Sequence, residues 1–180
     1  MRVITGSARG ARLVAPEGLD TRPTSEMAKE AIFSILQNEV GGAAVLDLFA
    51  GSGQLGIEAL SRGAVRCTFV EQDRRAQAAI RENLRHTRLE ENARLVTGDA
   101  LAYLRMPGET FTLALLDPPY GKGLLEKALP LAAARMAPGG VILCESDRRE
   151  ELPEEAGAFC RMKEYRYGRV KVTVYRLPGE

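Results

Sequence analysis

Asp117-Pro118-Pro119-Tyr120 is the tetrapeptide of this sequence whose residue types best suit a chemical task. Two consecutive prolines make a stiff extended turn without backbone donors, which leaves the nearby carbonyls as acceptors. An amino group on an aromatic ring is a weak nucleophile, because its lone pair is delocalised into the ring. Two acceptors on its hydrogens, the Asp117 carboxylate and the Pro118 carbonyl, favour a pyramidal nitrogen whose lone pair can attack an electrophilic carbon. Such help is orientational and electrostatic rather than covalent. Pro119 stiffens the turn, and Tyr120 offers a face on which an extruded base can stack. A capping aspartate before a plain Pro-Pro turn is the bland alternative for the same four residues.

A second constellation lies at Val45-Leu-Asp-Leu-Phe-Ala-Gly51-Ser-Gly53-Gln-Leu-Gly56. It reads as a strand running through a glycine turn into a helix. Gly51 and Gly53 permit positive φ and let a ligand approach the backbone. Asp47 interrupts an apolar strand, where an unpaired carboxylate is costly, so it should meet backbone amides or a cationic group. Phe49 stands where the turn begins. Glu71 follows Gly51 by twenty residues at a strand end, and Asp99-Ala100 follows the next strand. The string GSGQLG also satisfies the dinucleotide fingerprint, so a nicotinamide-dependent dehydrogenase is open at this point. For Glu71 and Asp99, helix capping or loop solubility is the competing reading.

The elements that must position these residues alternate regularly. Residues 2–15 break at Gly6 and Gly10 and read as a short β-hairpin, and Pro16, Gly18 and Pro23 mark a loop. Ala28, Ala31, Ile32, Ile35 and Leu36 recur at helical spacing from Ser25 to Asn38. Strands follow at 45–49, 67–70, 94–96, 113–116 and 141–144, separated by helices at 55–62, 74–86, 101–104 and 124–136. Asp73 is placed to cap the second of these. Strand–helix alternation implies βαβ units and a parallel sheet covered on both faces. Phe159–Tyr167 and Val170–Arg176 meet across Gly168-Arg169 as a closing antiparallel hairpin. The expected architecture is α/β and Rossmann-like, with binding at the carboxyl ends of the strands. Residues 1–24 would form an arm and 25–180 the main domain.

Composition bounds the rest. The 180 residues are 45% hydrophobic and 27% charged with net charge +1, ordinary for a globular chain. No apolar run approaches the length of a membrane span, and the first residues lack a signal-peptide core, so the cytoplasm is the expected compartment. Cys67, Cys144 and Cys160 show no CxxC pairing and read as thiols. With His86 the sole histidine, no metal site is expected. Residues 1–16 carry Arg2, Arg9 and Arg12 with no acid, and 161–176 carry six basic residues against Glu164. Basic termini around a neutral middle suggest a local phosphate-facing surface, with solvated strand faces as the alternative.

Asp47-Leu-Phe-Ala-Gly-Ser-Gly53 resembles motif I of S-adenosylmethionine methyltransferases. Asp117-Pro-Pro-Tyr120 resembles the (Asp/Asn/Ser)-Pro-Pro-aromatic motif of amino-methyltransferases acting on DNA adenine, RNA guanine or protein glutamine. The N-terminal stretches Arg2-x-Ile-x-Gly-x-x-Arg9-Gly-x-x-Leu13, Thr21-Arg-Pro-Thr24 and Lys29-Glu-Ala-Ile-Phe-Ser-Ile-Leu36 extend the likeness. Together they resemble the RsmD family of bacterial 16S rRNA guanine-N2 methyltransferases over essentially the whole chain. Lys29 stands where that family usually has arginine, and Ser34 where asparagine is frequent.

The resemblance implies S-adenosylmethionine as cofactor, with Asp47, Phe49, Gly51 and Gly53 organising the loop at its methionine end. Glu71 would take the ribose hydroxyls, and Asp99 with Ala100 the adenine. It implies 16S rRNA as substrate, within a 30S subunit or a late assembly intermediate, and a chain acting as a monomer. Only 70 residues separate Asp47 from Asp117, which leaves no room for a target-recognition domain and weakens the DNA adenine-N6 reading. Recognition would then fall to Arg2, Arg9, Arg12 and Arg22 as phosphate contacts. Removing residues 1–16 is expected to abolish recognition while sparing cofactor binding.

Overall fold

In the computed structural model, which describes residues 1–18 and 24–180, five apolar strands each run into a helix or a long connection. They are β1 (Ala44–Leu48), β2 (Arg66–Glu71), β3 (Ala93–Thr97), β4 (Phe111–Leu116) and β5 (Met136–Asp147). The helices are α1 (Glu26–Ile35), α2 (Gln54–Ser61), α3 (Arg74–Thr87), α4 (Ala100–Arg105) and α5 (Leu124–Ala133). Strands β6 (Glu155–Ala156), β7 (Phe159–Tyr167) and β8 (Val170–Arg176) complete a single sheet of order β3-β2-β1-β4-β5-β8-β7-β6. The first five strands are mutually parallel, and β8 joins antiparallel to β5. The chain order reverses between β1 and β4, so the crevice outside their carboxyl ends is where this architecture admits a ligand.

Strand periodicity divides the core. Val45 of β1 and Leu113 and Leu115 of β4 pack with Ile32, Phe33, Ile57 and Ile80, which cover one face through α1, α2 and α3. Leu46, Leu48, Ala114 and Leu116 point to the other face, under Leu104, Leu125 and Leu129 of α4 and α5. The same period of two sends Asp47 to the α2 side.

Local signals account for most boundaries. The Ser25 side chain accepts from Ala28 N and caps α1, and Asp73 accepts from Arg75 N and Ala76 N to cap α3. Two helices end sooner than their apolar spacing suggests. Beyond Ile35 the chain turns, with Glu39 N bonding to Leu36 O and Ala43 N to Val40 O, so that both Leu36 and Val40 enter the core. Beyond Ala133 the sheet takes over: Phe111 N donates to Arg135 O and Met136 pairs with Phe111, which makes β5 twelve residues long. Strand β6 had no signal, being two residues that pair back on β7. Among the described residues no helix is long and apolar enough to cross a membrane.

The N-terminal reversal has one antiparallel bridge, Arg2 to Arg12, and it shares the main core. Val3, Ala8 and Leu13 are buried against the α1–α2–α3 face. The fully buried Glu58 of α2 accepts from Ile4 N at 2.9 Å and Thr5 N at 3.0 Å. Its carboxylate also meets Arg62 at 2.9 Å and buried Lys29 at 3.6 Å, and Lys29 donates to Arg2 O at 2.6 Å. Asn83 of α3 clasps Val14 through both its N–H and its carbonyl. Lys29, the lysine at a usual arginine position, thus holds the arm to the body.

Candidate active site

Four strand ends converge on one cleft of about 960 Å³, the size range of small-molecule sites. Leu48 of β1 lies beside Val70 of β2 and Leu116 of β4, and Leu116 pairs in turn with Cys144 of β5. The residues that follow these pairs are therefore neighbours: Phe49, Glu71, Asp117 and Glu145. All four line the cleft.

The glycine loop is built by carboxylates. Asp47 is 1% exposed and accepts from Gly56 N at 2.9 Å, in the first turn of α2. Burial pushes its carboxyl up to about 8, against the help of the Gly56 amide, and nearby Glu71 adds to the rise. Glu71 braces the loop with both oxygens, accepting from Gly51 N at 2.7 Å and Asp73 N at 2.9 Å. Gly53 caps α2 with φ of 80°, a left-handed conformation that side chains disfavour. A Cβ on Gly56 would lie 2.4 Å from the Phe69 ring, so glycine is what lets α2 press against β2. Phe49 also has positive φ, 63°. Backbone strain of this kind in a bulky residue collects at binding sites.

The Asp-Pro-Pro-Tyr turn closes the opposite wall. Pro118 is buried and Pro119 exposed. Asp117 is partly open to the cleft, as a group that meets a ligand must be. Its carboxyl nevertheless titrates well above the usual carboxylate range, chiefly from burial, with Glu145 and Asp47 adding to the rise and the Thr24 hydrogen bond opposing it. The Thr24 hydroxyl lies 3.1 Å from Asp117 Oδ2 and 3.2 Å from Glu145 Oε2, and the Tyr120 hydroxyl donates to Glu145 Oε1 at 3.0 Å.

Asp47, Phe49, Gly51, Glu71, Asp99, Ala100, Asp117, Pro118, Pro119 and Tyr120 all border this space. Gly53 lies behind the wall, where its role is to turn the chain. Asp99 also caps α4, accepting from Ala102 N at 2.8 Å, so capping and a position at the cleft coexist. Arg2, Arg9 and Arg12 are exposed on the arm, and Arg2 pairs with Glu26. Arg22 lies outside the described residues. At the other basic terminus Arg161, Arg166 and Lys171 converge on Glu164, and Arg176 pairs with Glu39. Lys163 and Arg169 of the same stretch are exposed.

One expectation needs correction. Met1, Ala15 and Pro16 line the cleft, and Val3 and Leu13 fill the core. Removing residues 1–16 would thus open the core, strip part of the cleft wall and take two amide donors from Glu58, so cofactor binding would not be spared. Sequence reading also passed over Glu145, Thr24 and Gln54. Glu145 follows the apolar run 141–144 as Glu71 follows 67–70 and carried the same signal, although β5 continues to Asp147. Gln54 is buried at the cleft, with Nε2 on Thr24 O and Oε1 without a partner among the described residues.

The lining decides between ligands. Asp47, Glu71, Asp73, Asp99, Asp117 and Glu145 stand against one described basic side chain, Lys122. The N-terminus of α2, where a dinucleotide pyrophosphate would sit, is already met by the Asp47 carboxylate. Such a space disfavours a polyanion and suits a ligand bearing positive charge. The sulfonium and ammonium groups of S-adenosylmethionine fit it, and the nicotinamide dinucleotides do not.

The model of the family described as conserved hypothetical protein 95 matches residues 1–176. The Bacillus subtilis protein YlbH is 39% identical, over 99% of this chain and all of its own. Ribosomal RNA small subunit methyltransferase D of Escherichia coli is 34% identical, over all of this chain and 91% of its own. The solved structure of the Escherichia coli protein YhhF superposes with a TM-score of 0.88 at 35% identity, covering 100% of this chain and 99% of that one. With a match along nearly its whole length, the chain belongs to the conserved hypothetical protein 95 family, the RsmD family.

Proposed function

We propose that this protein transfers a methyl group from S-adenosylmethionine to the exocyclic N2 amine of a guanine in 16S rRNA. The observation that carries the reading is the meeting of Asp117-Pro118-Pro119-Tyr120 with the Asp47–Gly53 loop across one acidic cleft. Full-length kinship to a ribosomal RNA small subunit methyltransferase supports the substrate class.

The cofactor supplies an electrophilic methyl carbon on a cationic sulfur. Asp47, Phe49, Gly51 and Gly53 shape the loop for its methionine end, Glu71 offers carboxylate oxygens to the ribose, and Asp99 with Ala100 borders the adenine. Asp117 accepts a hydrogen from the target amine, as does the Pro118 carbonyl, and Pro119 keeps the turn rigid. The nitrogen lone pair is then directed at the methyl carbon. Tyr120 stacks on the guanine. Its hydroxyl is engaged by Glu145, which fixes the ring.

The substrate is read mainly by shape. Residues 1–24 serve as an RNA-facing arm and 25–180 as the methyl-transferring body, with Val3, Ala8, Leu13 and Val14 seating the arm on it. Arg2, Arg9, Arg12 and Arg22 contact phosphate. A stripe the sequence reading did not use, Arg74, Arg81 and Arg85 on the exposed face of α3 with Arg88 at its C-cap, continues that surface where Asn83 clasps the arm. The four arm contacts alone imply a shallow salt dependence, which the α3 arginines would steepen, and reading by shape implies a need for a pre-shaped target. The enzyme therefore acts as a cytoplasmic monomer on 30S particles or late assembly intermediates, and weakly on naked 16S rRNA. The test is tritium transfer from labelled cofactor to undermethylated small subunits, deproteinised 16S rRNA and duplex DNA. Transfer is expected mainly to the particles, and label on DNA adenine would overturn the reading.

A further inference from the structure

A hydroxyl carries one hydrogen, yet the Thr24 hydroxyl lies within hydrogen-bond distance of two carboxyl groups. Asp117 Oδ2 is 3.1 Å away and Glu145 Oε2 is 3.2 Å away. If both were ionised, Thr24 could satisfy only one and would turn a lone pair toward the other. The arrangement is satisfied when one carboxyl is protonated and donates to Thr24 while Thr24 donates to the other. Surroundings favour this. Thr24 and Glu145 are buried, and Glu145 lies one step beyond the Leu116–Cys144 pair, directly beside Asp117. Asp47 faces the pair from β1, and Glu71 and Lys122 border the same cleft. Two like charges so close in a poorly hydrated space raise each other's cost of ionisation.

We propose that Asp117, Thr24 and Glu145 share a single proton, and that Thr24 and Glu145 are positioning residues that draw this proton off Asp117 when the target amine binds. The proposal rests on the reading of Asp117 as acceptor for that amine. In the resting enzyme Asp117 donates to Thr24 and Thr24 donates to ionised Glu145, whose other oxygen accepts from Tyr120. On substrate binding the Asp117 proton passes to the Thr24 oxygen as the Thr24 proton passes to Glu145. Asp117 is then ionised and accepts the amine hydrogen. The nitrogen lone pair forms the new N–C bond, the C–S bond breaks with its electron pair left on sulfur, and the amine proton passes to Asp117. The pair then holds two protons and releases one to water as product leaves.

The experiment is an infrared titration of the free protein with 13C-labelled aspartate, assigned to Asp117 by its loss in Asp117→Asn. Burial and Glu145 raise the ionisation of Asp117 while Thr24 lowers it. Glu145→Gln should therefore ionise Asp117 at lower pH, and that shift should shrink in a Thr24→Val background and persist in a Thr24→Ser one. The acid limb of kcat on small-subunit particles should move with the Asp117 titration. An unmoved titration in Glu145→Gln, or an equal shift with and without the Thr24 hydroxyl, would overturn the shared proton. Expected titrations with an unmoved acid limb would overturn the positioning role. A wild-type enzyme that titrates as expected but methylates no particle would instead refute the functional reading beneath it.

Discussion

Two regions of this molecule bury charge, and they do so in opposite ways. Around Glu58 every buried charge faces a partner: Lys29, Arg62 and two backbone amides of the arm surround one carboxylate. In the cleft, carboxyls face carboxyls. Asp117 lies beside Glu145 and Asp47, Asp47 beside Glu71, and burial drives Asp47 and Asp117 toward their neutral forms. The first arrangement is complete within the chain and holds the arm in place. The second is completed by a ligand that brings positive charge. Ionisable groups drawn out of bulk water therefore separate here into structural and functional ones by the sign of their neighbours.

Glu58→Ala should show the largest effect, because it leaves Lys29 buried and two amides unpaired. Breaking a buried ion pair costs about 3–5 kcal/mol, to be read from urea unfolding. An unchanged midpoint would show that the arm is not held this way. Asp117→Ala should do the reverse. Folding should hold or improve, affinity for S-adenosylhomocysteine should stay within a few-fold, and transfer should fall by roughly 10²–10³ or more, the scale for losing one aligned electrostatic partner. Single-turnover rates beside calorimetry measure both, and a matching loss of affinity would place Asp117 in cofactor binding instead.

Asp47 makes the contrast pH-dependent. Its carboxyl ionises near 3.8 when exposed and at about 8 in the fold. Between those values the native state holds more protons than the unfolded chain, so stability falls as pH rises through that window. Urea midpoints should be lower at about pH 8 than at about pH 5, and Asp47→Asn should flatten the difference. A midpoint that rises with pH would contradict the electrostatic account of the cleft. Smaller again is Glu71→Ala, expected to weaken cofactor binding by about 1.5–3 kcal/mol, the range for hydrogen bonds to a charged group. Intact affinity in the folded variant would confine Glu71 to bracing the loop.

The contrast also explains what could be read without coordinates. Carboxylates that end or interrupt an apolar run are legible because an acid there has few structural uses, which made Glu71, Asp117 and, within β1, Asp47 visible. Glu145 carried the same mark but lay in no familiar motif. The parallel sheet and closing hairpin were legible from periodicity, since apolar spacing changes between strands and helices. The early ends of α1 and α5 were not, because apolar residues continue through Leu36 and Met136, and it is the turns at Leu36 and Val40 that stop α1 and the pairing of β4 with β5 that stops α5. The seating of the arm was hidden as well. Glu58, Ile4 and Thr5 are far apart in sequence, and nothing local marks a carboxylate that waits for a distant backbone.

The most direct test of the central claim uses the cell's own substrate. Small-subunit rRNA from a strain lacking this gene should be digested and mapped by mass spectrometry beside rRNA from the parent strain. One N2-methylated guanine should be missing, restored by the wild-type gene and not by Asp117→Ala. An unchanged set of methylated guanines in the mutant strain would contradict the assignment.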